Sequence, residues 1–329
     1  MNGPMMRIAA ALAAVLAFAL PAAANDKVVF GTNWSAQAEH GGFYYAKAYG
    51  IYDAYGLDVE IVPGGAQVDT TALLIGGKYD FALLSNSFIF MNMVREDIPF
   101  EAVAAVFQKD PQVLMAHPEA GLKSLADIKD HPVFISTDAR DTYWKFLQIK
   151  YGFTDEQVRP YTYSIAPFLA DASVIQQGYV TNEPFRAREA GVDPSVFLIA
   201  DSGYPSYAAL IGTSKKLAAD NPDLVRRFVE ASLKGWQGYL SGERAKADAL
   251  ILADNADYSQ KAADEAVAAM QQYQLAAGGD AAALGLGAMT EARWQAFFDD
   301  MVKAGVYPAD LDWKKAFSLE FVNNKLAMP

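Results

Sequence analysis

The stretch that decides the fold is Thr32–Val62, which reads TNWSAQAEHGGFYYAKAYGIYDAYGLDVEIV. A short apolar strand, predicted at Val28–Phe30, leads into a polar loop that holds one Trp and one His. A Gly-Gly pair and an aromatic-rich helix follow, and the helix is predicted to end at Gly56, where a second strand (Leu57–Val62) begins. In such a strand–loop–helix–strand unit the first loop lies at the carboxyl ends of the strands, where ligands bind.

The N-terminus has the pattern of an export signal. Arg7 precedes an apolar run at Ile8–Leu20, which is too short for a resident membrane-spanning helix. Pro21 and three alanines follow, so we expect a signal peptide at 1–24 that is cleaved near Ala24, with an N-terminal membrane anchor as the alternative. The chain contains no Cys, which excludes a lipid anchor on Cys, disulfides and thiolate chemistry. Export without disulfides predicts a periplasmic location.

The composition is that of a globular protein: of 329 residues, 52% are hydrophobic and 20% are charged. This length allows two domains of ordinary size. The formal net charge is −12, and so acidic a chain repels nucleic acid and anionic lipid. We therefore expect a monomer whose partners do not include nucleic acid.

Strands and helices alternate beyond the first unit. The predicted strands are Tyr79–Leu84, Glu101–Phe107, Gln112–His117, Val133–Ser136, Arg159–Tyr163, Gln177–Thr181, Val196–Ala200 and Tyr207–Ile211. The predicted helices are Val68–Ile75, one capped at 85–87 that ends at Arg95, Ser124–Lys129 with Ser124 and Asp127 as a capping box, Asp138–Lys150 and Glu183–Glu189. After Ser214 the chain is predicted to be almost entirely helical.

This order predicts an α/β protein with two lobes. Residues 25–113 form the first part of lobe 1, residues 114–205 form lobe 2, and residues 206–329 return to lobe 1 and add the C-terminal helices. Two crossings between the lobes make a hinge, and a cleft between hinged lobes is a common ligand site.

Three segments carry a resemblance: NW-x5-H-G-G-x-Y-x-A-K from Asn33, GKYDFALLS from Gly77 and QQGYVTNEP from Gln176. With the order of elements, they resemble the bacterial solute-binding proteins of the thiamine-pyrimidine-precursor and aliphatic-sulfonate group, which is NMT1/THI5-like. The resemblance covers nearly the whole predicted mature chain. It implies a type II periplasmic binding protein that captures a small molecule by lobe closure and delivers it to the permease of an ABC importer.

The first loop is most similar to the pyrimidine branch of that group, because His40 stands six residues after Trp34. This similarity implies a small planar heterocycle, like a thiamine-pyrimidine precursor, as ligand. Relatives take riboflavin, taurine, alkyl sulfonates, nitrate or bicarbonate, so a small anion is the alternative. A heterocycle would use Glu183 as acceptor, whereas an anion would use Arg140 or Arg186 with helix N-termini.

An exported enzyme is the alternative from another functional class. The pyrimidine branch has an enzymatic cousin, the fungal thiamine-pyrimidine synthase, which consumes its own His and needs a Cys-rich segment. This chain has no Cys, so His40 is better interpreted as a binding or capping residue. The three His lack metal-ligand spacing, and the sequence has no G-x-S-x-G, phosphate-binding loop or EF-hand loop. We expect no catalytic residue, no metal and no cofactor.

The candidate ligand-binding residues lie where predicted strands meet loops or helices. Trp34 is either a core residue or a flat wall against a planar ring. Asn33 and His40 flank it and either bind ligand or satisfy free amides of the next helix. Tyr143 begins a helix in which either it or its neighbour Trp144 faces inward, so Tyr143 is either a core residue or a cleft-facing one.

Other candidates are also potential helix caps. Ser85 and Asn86 end a strand at a helix N-terminus, and Thr137 and Asp138 have the same position in the second lobe. Glu183 follows a short strand in T-N-E-P and either binds ligand or faces the helix dipole. The full candidate set is Asn33, Trp34, His40, Ser85, Asn86, Gln108, Thr137, Asp138, Tyr143, Glu183 and Tyr207, with Tyr163 and Tyr204 as further possibilities.

Overall fold

The computed structural model describes residues 24–329, so most of the predicted signal peptide, residues 1–23, lies outside the described residues. Within the described part the strands are β1 Asp26–Gly31, β2 Leu57–Val62, β3 Phe81–Asn86, β4 Phe100–Phe107, β5 Gln112–Ala116, β6 Val133–Ile135, β7 Val158–Pro160, β8 Ile175–Tyr179, β9 Ser195–Leu198 and β10 Ala208–Ser214.

The helices are α1 Gly41–Ala48, α2 Ile51–Ala54, α3 Thr70–Ile75, α4 Ser87–Arg95, α5 Thr137–Arg140, α6 Tyr143–Tyr151, α7 Ala166–Ala170, α8 Glu183–Glu189, α9 Lys215–Asp220, α10 Pro222–Leu240, α11 Ala245–Asp254, α12 Gln260–Gln272, α13 Ala281–Leu284 and α14 Glu291–Lys303. Short 3-10 turns lie at Ala38–His40, Pro118–Ala120, Leu125–Ile128, Asp155–Gln157, Ile199–Ser202 and Trp313–Ala316. None of these helices is long and apolar enough to cross a membrane.

The strands form two five-stranded sheets, in the orders β2-β1-β3-β10-β4 and β7-β6-β8-β5-β9. In the first sheet β1 is parallel to β2 and β3, while the returning strand β10 is antiparallel to β3 and β4. In the second sheet β6 is parallel to β7 and β8, and β5 is antiparallel to β8 and β9. Each sheet is the centre of one lobe, and α9–α14 form the predicted helical C-terminal part.

The predicted helix Asp138–Lys150 is wrong as one element, because α5 and α6 are separated at 141–142. The hydroxyl of Thr142 donates to the carbonyl oxygens of Asp138 at 3.0 Å and Ala139 at 3.3 Å. A side chain that takes up helix carbonyls in this way competes with the backbone ladder. The predicted helix at Ser124 is a 3-10 turn, and its capping box with Asp127 is present.

Two glycines allow α1 to approach α10 closely. A Cβ added at Gly42 would lie 2.2 Å from the ring of Trp236, and one added at Gly235 would lie 2.1 Å from the Gly42 carbonyl oxygen. Beside this contact, the stacked rings of Phe81 and Phe228, with centroids 4.1 Å apart, fill the space between β3 and α10. The Gly-Gly pair of the first loop is therefore required by packing, and it fixes the start of α1 next to that loop.

The chain crosses between the sheets twice, at 108–111 and at 203–207, and we call these segments the hinge connections. Arg293 of α14 joins them. Its Nε donates to the carbonyl of Pro205 at 2.9 Å, and its Nη2 donates to the carbonyls of Ser206 at 3.1 Å and of Gln108. The guanidinium also lies over the ring of Tyr207, 4.1 Å from the centroid. One side chain thus holds both connections in place. The predicted lobe bounds at 113/114 and 205/206 stay predictions.

Replacing Arg293 with Met should destabilise the protein by about 2–4 kcal/mol, because buried carbonyl groups in both hinge connections lose a charged donor. Arg293→Lys should recover only part of this loss, since an ammonium group lacks the planar fork that reaches several carbonyls. Urea unfolding followed by circular dichroism measures the difference. Arg226→Met is the control, because Arg226 pairs at the surface with Glu320. Equal stability of Arg293→Met and the control would contradict the role of Arg293.

Candidate functional site

A cavity of about 620 Å³ lies between the lobes. Its walls come from the carboxyl ends of strands in both sheets, namely the loops after β1 and β3 on one side and those after β6, β7 and β8 on the other. This is the edge at which open α/β sheets place ligands. Seven of the eleven candidates line it, and so does Tyr163, one of the two further possibilities: Asn33, Trp34, His40, Ser85, Asn86, Asp138 and Glu183. Ligand contact by these residues stays a prediction.

A chain of neutral polar groups forms the lobe 1 wall. The amide nitrogen of Asn33 donates to the hydroxyl of Ser85 at 3.0 Å, so we assign its oxygen as acceptor for Nε2–H of His40 at 3.1 Å. Burial lowers the pKa of His40 to about 3, so the ring is neutral at physiological pH. Its Nδ1 has no hydrogen-bond partner within residues 24–329. The side chains of Asn33, His40 and Ser85 are thus polar and uncharged.

Trp34 is half-buried on the cavity wall, which favours the wall interpretation over a core role. The Thr32 hydroxyl and the Gly64 amide both donate to its carbonyl, at 2.8 and 3.1 Å. Its ring meets Tyr163 of the other lobe, with centroids 5.5 Å apart and planes tilted by 42°. Tyr163 has a left-handed φ of 60°, unusual for a residue with a side chain, and also contacts Tyr161. Aromatic rings from both lobes therefore face the cavity.

Glu183 lies buried in the first turn of α8. Its carboxylate accepts from the Tyr179 amide at 2.7 Å and from the Tyr161 hydroxyl at 3.3 Å. Burial raises the pKa of Glu183, and the Arg186 guanidinium partly opposes this rise. The carboxyl group holds the loop between β8 and α8 in place while it lines the cavity.

Acidic groups outnumber basic ones on the described wall. Glu39, Asp138, Asp141 and Glu183 contribute carboxyl groups, whereas Arg186 is the one Lys or Arg that lines the cavity in residues 24–329. A wall of this kind favours ligands with hydrogen-bond donors over anions. Nowhere in this described part do three His, Cys, Asp or Glu side chains lie together as a metal site.

Four of the eleven candidates do not line the cavity, two of them in lobe 2 and two near the crossings between the sheets. Tyr143 is buried, and its hydroxyl donates at 3.3 Å to Gln177, which does line the cavity. The side chain of Thr137 is exposed beside the wall, and the preceding Ser136 caps α5 by accepting from the Ala139 amide.

The other two belong to the hinge. Gln108 donates to the carbonyls of Ala105 at 3.1 Å and Ala288 at 2.8 Å. The hydroxyl of Tyr207 donates to Asp280 at 2.5 Å and accepts from the Thr290 amide. Tyr204 is likewise buried and packs on Phe146. These residues do not line the cavity, because strand ends near the cleft also carry the side chains that fix the connections. Their contact with a ligand stays a prediction.

Several wall residues were missed from the sequence. Glu39 is not among the candidates, although it is buried between the lobes. On the lobe 2 side, other lining residues outside the candidate set lie in β8 or in the segments after β6, β7 and β8, where an aromatic and polar composition was the available signal: Ser136, Asp141, Thr142, Tyr161, Gln177, Tyr179 and Asn182. On the lobe 1 side they include Gln37, Phe88, Ile89 and Asn92.

Ion pairs join α8 of lobe 2 to α12 of the C-terminal part. Arg188 of α8 pairs with Glu265 of α12 at 3.2 Å, and Lys261 of α12 pairs with Glu189 of α8 at 2.5 Å. All four side chains are exposed, so these pairs add little free energy in water. They mark the line along which the two lobes meet.

Comparison with known proteins agrees with this architecture. The chain is 27% identical over 301 residues to the riboflavin-binding protein RibY of Chloroflexus aurantiacus, covering 85% of this chain and 81% of that protein. The structure resembles the periplasmic sulfonate-binding protein SsuA of Methylobacillus flagellatus, described as putative, with a TM-score of 0.62, 13% identity, and 91% and 93% of the two chains covered.

It also resembles the periplasmic nitrate-binding protein NrtA of Synechocystis, with a TM-score of 0.63, 13% identity, and 90% and 87% of the two chains covered. At these identities the two structures show the fold alone, which is the predicted two-lobed periplasmic binding-protein fold. Residues 37–245, more than half of the chain, match the family model described as NMT1/THI5 like. The chain therefore belongs to the NMT1/THI5-like family.

Proposed function

We propose that this protein is the periplasmic receptor of an ABC importer and captures a small planar heterocycle with N–H donors, such as a thiamine-pyrimidine precursor. The observation that carries the proposal is the interlobe cavity, in which aromatic rings and buried carboxyl groups from both lobes face each other. The predicted signal peptide and the periplasmic relatives support the location, and the fold supports delivery to a membrane permease.

Charge favours a heterocycle over a small anion. A sulfonate or nitrate would meet four carboxyl groups and a single guanidinium on this wall. A ring that carries amino or imino groups would find acceptors in Glu183, Asn33 and the unpartnered Nδ1 of His40. The relative named for riboflavin binding supports a planar heterocycle as the ligand class.

The proposed mechanism is lobe closure around the ring. Trp34 and Tyr163 belong to different lobes, so both can contact one ring only when the lobes are together. A ligand that gains contacts only in the closed state shifts the equilibrium toward that state. The hinge connections at 108–111 and 203–207 would absorb the movement, and the closed form would dock on the permease.

Binding without turnover is the first expected outcome. Protein purified from periplasm should be stabilised by an aminopyrimidine or riboflavin, and not by an alkyl sulfonate or nitrate. At 100 times the dissociation constant the gain is about 2.7 kcal/mol. Thermal unfolding with each compound measures the gain, and native mass spectrometry identifies any co-purified ligand. Consumption of the bound compound would favour the exported-enzyme alternative.

Glu183 and Arg186 should separate the two ligand classes. Glu183→Gln should weaken aminopyrimidine binding roughly 10- to 150-fold, since a hydrogen bond to a charged acceptor contributes about 1.5–3 kcal/mol. Arg186→Ala should change it little. Arg140→Ala is the control, because Arg140 is exposed, pairs with Asp155 and does not line the cavity. Calorimetric titration that finds sulfonate binding intact in Glu183→Gln and lost in Arg186→Ala would favour the anion receptor.

Trp34→Ala should weaken heterocycle binding by about tenfold or more, because stacking adds about 0.5–1.5 kcal/mol to the burial of the ring. Trp34→Phe should recover part of the affinity. Trp313→Phe, which changes a Trp stacked on Phe317 away from the cavity, is the matched control. Circular dichroism checks that each variant is folded. A folded Trp34→Ala variant with unchanged affinity would exclude the stacking role.

A further inference from the structure

Glu39 is a buried acid between the two lobes. It lies in the 3-10 turn before α1, its side chain lines the cavity, and it is 5% exposed. Its Oε1 accepts a hydrogen bond from the hydroxyl of Thr181, which follows β8 in the other lobe. Its Oε2 is buried and has no hydrogen-bond partner among residues 24–329. A buried carboxyl oxygen left in this state on a cavity wall points to a ligand.

The groups around Glu39 do not include a balancing cation within the described chain. The carboxylate of Glu183, the hydroxyls of Tyr179 and Tyr258 and the neutral ring of His40 surround it. Helix α12 packs against the turn that holds Glu39. The charged groups of that helix form surface pairs of their own: Lys261 with Glu189, Asp264 with Arg244, and Glu265 with Arg188.

Burial without a counterion raises the pKa of Glu39 to about 7, with the repulsion from Glu183 in the same direction. A neutral carboxylic acid differs from a carboxylate in that it can donate a hydrogen bond. Thr181 occupies Oε1 as a donor, so the proton of the neutral form belongs on Oε2, the oxygen that lacks a partner.

We propose that Glu39 is a second ligand-binding acid, which donates from Oε2–H to an acceptor on the heterocycle while Thr181 of the opposite lobe holds Oε1. Glu183, two residues beyond Thr181, accepts from an N–H on the same edge of the ring. The pair selects ligands in which an acceptor lies beside a donor, such as a ring nitrogen beside an amino group or a carbonyl beside a ring N–H. This assignment rests on the proposed function and defines which heterocycles fit it.

A neutral Glu39 that donates to the ligand makes the ligand affinity fall as the pH rises. In an open, hydrated cleft the pKa of Glu39 returns toward its ordinary value of 4.5, and in the closed site it is about 7. At a pH between these two pKa values, closure on the ligand therefore takes up a proton at Glu39. Affinity is full below the lower pKa, falls by up to about tenfold per pH unit above it, and levels off above the higher pKa.

Riboflavin is a suitable probe, because it has an acceptor–donor–acceptor edge and no group that titrates in this range. Its affinity for the wild-type protein, measured by fluorescence, should fall roughly tenfold or more between about pH 5.5 and about pH 8. Glu39→Gln keeps a donor and an acceptor without titrating, so it should bind at least as tightly as wild type at the lower pH and lose most of the slope. The slope that remains belongs to Glu183 and Asp110, whose pKa values burial also raises.

Two further variants separate this role from general effects on the fold. Asp312→Asn neutralises an exposed carboxyl group that pairs with Lys315 away from the cavity, and it should keep the wild-type slope. Thr181→Val removes the hydroxyl that holds Oε1 and should weaken binding at every pH, by about fivefold or more. Carbon-13 NMR of the ligand-free protein follows the Glu39 carboxyl directly, with Glu39→Gln to identify its signal.

An unchanged slope in Glu39→Gln, or a large loss of affinity in that variant at the lower pH, would overturn the assignment and leave the receptor function standing. Failure of wild-type protein to bind any heterocycle would overturn the proposed function, and this assignment with it. Loss of slope with retained affinity supports a neutral, donating Glu39.

Discussion

The arrangement of the two lobes depends on one guanidinium group that ties both hinge connections together. Arg293 reaches carbonyls at Gln108, Pro205 and Ser206, which lie on separate passes of the chain between the sheets. Backbone carbonyls in short connections have no ladder to satisfy them, so a buried donor has to come from elsewhere. Helix α14 supplies this donor through Arg293. The helical C-terminal part therefore fixes the hinge connections as well as contributing to the core.

The parts of the fold that follow from local chemistry could be predicted. The helix Glu183–Glu189 has its predicted bounds, because a strand end, a charged first turn and Pro184 all specify its start. The capping box at Ser124 is also local. The predicted continuous helix through Thr142 is wrong, because the Thr142 hydroxyl competes with backbone amides for the helix carbonyls. Hydrophobic periodicity does not report on this competition.

More of the cavity lining could be predicted on the lobe 1 side than on the lobe 2 side, where Asp138 and Glu183 are the matches. Trp34, Asn33 and His40 lie in a loop that is more polar and aromatic than a simple connection between a strand and a helix. This composition predicted that the loop lines a binding site. Glu39 could not be predicted, because its interlobe hydrogen bond is with Thr181, which is 142 residues away in the chain. Sequence does not show that Gln108 and Tyr207 lie outside the cavity lining, because a polar residue near a strand end is compatible both with ligand contact and with hinge support. Their contacts with Ala288 and Thr290, just before α14, favour hinge support.

The ion pairs between α8 and α12 make the contact between the two lobes sensitive to salt. Attraction between exposed charges is screened over about 8–10 Å at moderate ionic strength, and over less in brine. Arg188 with Glu265 and Lys261 with Glu189 span the line where the lobes meet, so dissolved electrolyte weakens the closed form without touching the cavity. Because exposed pairs contribute little free energy each, the two lobes are held together only slightly less firmly in salt water than in fresh water.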